Sequence, residues 1–98
     1  MNRDVYLRPE ANADLEEAYH YYEKCGKGLG EDLVHCVEDV LQKLSENPKH
    51  YPVIHRRVRR ALIHRFPYGI FFVEEENRLV VTAIMHFSRN PTRWLGRV

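Results

Sequence analysis

The chain has 98 residues, 44% of them hydrophobic and 30% charged, with a net charge of +1. This is the make-up of one globular domain, residues 1–98, and it excludes a disordered chain or a two-domain enzyme. No run approaches the ~18 consecutive apolar residues of a membrane span. The charged start (Arg3, Asp4, Arg8) is unlike a secretion signal, so a cytoplasmic protein without membrane contact is expected.

Val5 to Arg8 reads as a short strand. Pro9 suits the first turn of a helix, where its missing N–H costs nothing. Ala11, Leu15, Ala18, Tyr19 and Tyr22 recur at helical spacing, with Glu10, Asp14, Glu16 and Glu17 near the favoured N-terminal end. Cys25-Gly26 closes this helix, glycine serving as a left-handed cap. Gly26-Lys27-Gly28-Leu29-Gly30 lacks the ending of a phosphate-binding loop and reads as a turn between helices. A second helix spans Glu31 to Glu46 on the stripe Leu33, Val34, Val37, Val40, Leu41, Leu44, and Asn47-Pro48 stops it.

Lys49 to His55 is expected to be loop. The period then changes to two: Val58, Arg60, Leu62, His64 and Phe66 would share one face of a strand, with Arg57, Arg59, Ala61, Ile63 and Arg65 on the other. On that face His64 reads as a half-buried histidine. Pro67-Tyr68-Gly69 is a turn signal, Ile70 to Glu74 a strand, Glu75 to Arg78 a hairpin turn, and Leu79 to Phe87 a further strand. Ser88 to Val98 is a basic tail with Trp94 as its one large anchor. The order β-α-α-β-β-β is that of the α+β class: a helix hairpin on one face of a small, mainly antiparallel sheet. The other face is left open, or covered by the tail and a partner.

Charge is divided along the chain. Residues 1–50 hold six Lys/Arg and eleven Asp/Glu, a balance of −5; residues 51–98 hold nine arginines and three glutamates, a balance of +6. Arginine's planar fork suits phosphate or carboxylate, so an acidic or phosphate-rich partner is expected on a cationic sheet surface. The two cysteines, Cys25 and Cys36, match no zinc or redox spacing and read as reduced thiols. The six histidines show no ligand spacing, and no dinucleotide fingerprint is present, so neither metal nor cofactor is expected.

Four short motifs in order carry a resemblance. They are Leu7-Arg8-Pro9-Glu10-Ala11 with Asp14-Leu15 and Tyr21-Tyr22; Leu44 to Pro48; Arg60 to Tyr68; and Val80 to Trp94. With them the chain resembles the RelE/ParE superfamily of toxins over nearly its whole length. The resemblance implies an antitoxin from the same operon, whose disordered segment folds around the toxin; a homo-oligomer is compatible with it.

Two branches of that family imply different chemistry. One cleaves messenger RNA on the ribosome without a metal: a base takes the ribose 2′-OH proton, and cations stabilise the charge that builds on the phosphate. For that role the candidates are His86 with Arg60, Arg65 and Arg89. The other branch, ParE-like, inhibits DNA gyrase by binding alone. The chain departs from the first branch in having no lysine among its sheet residues and no tyrosine in its tail. The ParE-like reading is therefore preferred, with Arg56, Arg57, Arg59, Tyr19, Tyr22 and Trp94 as candidates for contact with antitoxin or target. A third reading is an inactive module that only binds its antitoxin.

Overall fold

The two apolar stripes become two long helices. In a computed structural model, which describes residues 3–88 and 91–97, α1 spans Pro9–Cys25 and α2 spans Leu29–Glu46. Pro9 occupies the first helical turn as expected. The glycine roles differ from the sequence reading. Gly26 is extended at φ −173°, and the left-handed residue is Gly28 at φ 84°, which opens α2 two residues earlier than expected. Gly30 is where the helices touch: a Cβ there would lie 2.5 Å from the Tyr19 carbonyl oxygen. The Glu23 carboxylate accepts from the Gly30 N–H at 2.8 Å and so satisfies one orphan donor of the α2 start.

The sheet has five strands: β1 (Asp4–Leu7), β2 (Val53–His55), β3 (Val58–Leu62), β4 (Tyr68–Glu74) and β5 (Arg78–His86). Their spatial order is β1-β5-β4-β3-β2, with β1 parallel to β5 and the other pairs antiparallel. The chain is thus α+β, two helices on a mostly antiparallel sheet. Three segments differ from expectation. The segment Lys49 to His55, expected to be loop, holds the end of a 3-10 turn, Pro48–His50, and the edge strand β2. Tyr68 and Gly69 belong to β4, so the turn lies just before them. The tail contains a third helix, α3 (Thr92–Leu95).

The face assignment of β3 holds only to its end. Val58 and Ala61 bury on opposite faces, as alternation requires. Past Leu62 the strand has ended and parity is lost. Phe66 therefore joins the helix-side core and not the face of Val58, and His64 is exposed and not half-buried.

The helix-side core brings Leu33, Val37 and Leu44 of α2 and Ala11 and Ala18 of α1 against Ile70, Phe72, Leu79, Val81 and Ile84. The far face is smaller. There Val58, Phe71, Val73, Val80, Ala83 and Met85 are covered in part by Trp94 of α3.

β5 carries a β-bulge. Phe71 pairs with Ala83 but Phe72 pairs with Val81, so Thr82 has no opposite residue. Its hydroxyl donates to the Phe71 carbonyl at 3.3 Å. The extra residue inverts the alternation: Leu79 and Val81 face the helices, and so do Ile84 and His86 beyond it.

Candidate functional site

Below the bulge, β5 outruns its parallel neighbour. The β1 ladder reaches Val81, and one further bond, from the Arg8 N–H to the Val81 carbonyl, ends it. Pro9 then turns the chain into α1. The β5 segment from Ile84 to His86 borders a cleft of about 690 Å³ between α1 and the tail. Tyr21, Tyr22, Tyr68, His86, Arg93 and Arg97 contribute to its lining.

An ion pair crosses this edge. The Arg97 guanidinium donates to both Asp14 oxygens, at 2.6 and 3.3 Å, and to the Thr82 carbonyl at 3.2 Å. Asp14 in turn accepts from the Ile84 N–H at 3.1 Å. Arg8 holds the tail from the other side by donating to the Arg97 carbonyl at 2.9 Å. Neither Asp14 nor Arg97 stood out as a site residue in the sequence. One signal was present: Asp14 lies three residues after Ala11 and four before Ala18, so it is a charge set into the apolar stripe of α1.

His86 ends β5 on the cleft side. Its Nδ1 accepts from the Ser88 N–H at 3.1 Å, with the Ser88 hydroxyl 2.7 Å from the same nitrogen. That arrangement places the neutral ring's proton on Nε2. The His86 ring meets Tyr68 at 5.7 Å between centroids. Tyr22 lies edge-on to Phe66 at 5.0 Å and to Tyr68 at 6.0 Å, forming an aromatic wall. Burial, then the neighbouring Tyr21 and Cys25, raise the Tyr22 pKa above its ordinary value.

The remaining candidates are dispersed. Arg60 pairs with Phe71 on the far face, its stem beside Gly69, so the sheet separates it from His86. Arg65 lies in the β3–β4 connection at φ 75°, where it pairs with Asp32 of α2 at 3.2 Å. Arg89 lies outside the described residues. The proposed proton carrier and its cations are therefore not one cluster among the described residues.

Nor do the arginines at 56–60 form a single cationic surface. Arg57 donates to the Glu74 carbonyl at 3.0 Å, and Arg59, on the helix side, to the Tyr51 carbonyl at 2.5 Å. Arg56 occupies the β2–β3 turn at φ 51°, exposed beside His55 and the end of α3. Tyr19 is half-buried at the helix crossing. Trp94 is 8% exposed and stacks on Phe71 at 4.8 Å. Among the described residues no cluster of three metal-ligating side chains occurs, and no helix is long and apolar enough to cross a membrane.

A helix hairpin over a five-stranded sheet with one parallel edge strand defines the class, a small α+β domain. The particular family follows from the sequence: the family model described as the ParE toxin of the type II toxin–antitoxin system parDE matches residues 5–91. The chain belongs to that family. A solved structure described as the chromosomal ParDE TA system from P. aeruginosa superposes with a TM-score of 0.76 at 18% identity. The match covers 86% of this chain and 95% of that one. At that identity the likeness speaks to the fold. No curated protein is similar enough in sequence to count as a relative.

Proposed function

We propose that this ParE-family chain acts in the cytoplasm as a growth-inhibiting toxin that binds a protein target, DNA gyrase, and that a cognate antitoxin neutralises it. Family membership supports the toxin role. The dispersal of the candidate ribonuclease residues favours binding over cleavage: His86 and Arg60 lie on opposite faces of the sheet, and Arg65 is engaged with Asp32. A metal-independent ribonuclease reading has one observation in its favour, the position of His86 in the cleft with Arg93 and Arg97.

The test pairs two assays on the purified chain. Added to gyrase, it should block supercoiling; added to translating ribosomes, it should leave the message intact. New message ends with unaffected supercoiling would reverse the assignment. In that case His86→Ala should slow cleavage by roughly 10²–10⁴-fold.

A further inference from the structure

The bulged end of β5 is an unfinished sheet edge. A strand edge carries backbone donors and acceptors that need partners. Residues paired across an antiparallel ladder alternate between bonding to each other and pointing away. Ile70 and Ile84 are opposite each other, and the Ile84 N–H is bonded to Asp14, so the backbone groups of Ile84 point away from β4. Two residues on, His86 repeats that direction. The Phe87 N–H returns to the β4 side, donating to the Pro67 carbonyl at 2.9 Å.

β1 has stopped by this point, and side chains take its place. Asp14 supplies an acceptor for the Ile84 N–H, and Arg97 supplies a donor for the Thr82 carbonyl. A neighbouring strand would offer the same acceptor and donor. The Ile84 carbonyl and the His86 N–H receive no such stand-in among the described residues. They face the cleft, whose volume lies within the range that holds a ligand. Tyr21, 60% exposed, stands on its α1 side. Arg93, exposed and without an ion pair among the described residues, stands on its tail side.

The geometry points to this cleft as a strand-addition site for an extended segment of the antitoxin, a deepening that rests on the antitoxin reading above. The segment pairs its backbone with the Ile84 carbonyl and the His86 N–H. It lays an apolar or aromatic side chain on Tyr21 and Tyr22 and directs a carboxylate to Arg93. Arg97 is then a plug at the head of the site, holding the tail against the edge that the incoming segment extends.

Amide hydrogen exchange, read residue by residue on the free chain and on its complex with the antitoxin co-expressed from the adjacent gene, tests this. The His86 amide should exchange at least about 10-fold more slowly in the complex. A second measurement compares two variants. His86→Pro removes the edge N–H without touching the bonds to β4, whereas His86→Ala keeps it. The proline variant should bind the antitoxin about 3–10-fold more weakly than the alanine variant. If a complex forms and the His86 amide exchanges at its free rate, or the two variants bind alike, strand addition here is overturned while the antitoxin reading stands. If no complex forms, both fall. Protection of the same amide by a single-stranded RNA and not by the antitoxin would overturn the inference in favour of the ribonuclease reading.

Discussion

The two faces of the sheet are covered by different means. On one lie helices of 17 and 18 residues, whose stripes repeat every three or four positions along their length. On the other lies a helix of four residues, whose Trp94 stacks on Phe71 and meets His55 edge-on, and whose following Arg97 is held by Arg8 and reaches a residue 83 positions away. The first cover is redundant, since any one contact of the α2 stripe is backed by its neighbours. The second depends on few contacts, and its ties to Asp14 and Arg8 are made across nearly the whole chain. The helix side is therefore expected to set the stability of the domain. The far side and the β5 edge set how firmly the tail is held.

Adjacent residues make the sharpest test of that contrast. Phe71 and Phe72 are both fully buried, but Phe72 faces the helices and Phe71 faces Trp94. Phe72→Ala should cost about 4–5 kcal/mol and Phe71→Ala about 3 kcal/mol, because the small α3 can shift towards the void while the hairpin cannot. Chemical denaturation of both variants measures this, and equal losses would remove the distinction between the faces.

A smaller effect is expected at the edge. The Asp14 and Arg97 side chains are only 14% and 23% exposed, so solvent screens their attraction weakly. Asp14→Ala deprives both Arg97 and the Ile84 N–H of an acceptor and should cost about 2 kcal/mol. Asp14→Asn, which keeps an oxygen for Ile84, should lose about half as much. If Asp14→Ala melts like the parent, the pair does not hold the tail.

The smallest effect concerns pH. The folded state holds the Tyr22 phenol proton more tightly than the unfolded chain does, chiefly through burial. Its contribution is complete below the ordinary value of 10.0 and is lost as pH rises through the higher folded value. The Tm should therefore fall as pH is raised above 10, and Tyr22→Phe should flatten that fall. A Tm profile in alkaline buffer that is the same for both chains would show that Tyr22 does not contribute.

Much of the helix side was legible before any coordinates. Four of the six α2 stripe residues, Leu33, Val37, Val40 and Leu44, are buried, with Val34 and Leu41 half-buried, and Pro9 and Asn47-Pro48 marked real boundaries. The site was less legible. Arg56 to Arg60 reads as a basic run, but the pleat sends Arg59 and Arg60 to opposite faces, and two of these guanidiniums are bound to main-chain carbonyls. Asp14 was visible as an acidic residue near a helix start and as a charge within the apolar stripe of α1, but not as a partner of β5. Its role comes from a strand edge that is remote in sequence.

Residue pattern alone determined the hairpin and the strands β3, β4 and β5, because helical and strand periods are local properties that neighbouring residues reinforce. Tertiary structure alone decided on which face His86 sits. Alternation predicts a face only while the register is unbroken, and the bulge at Thr82 exists because two strands that meet there differ by one residue. That difference belongs to the pairing and not to either strand, so it cannot be read from β5 by itself.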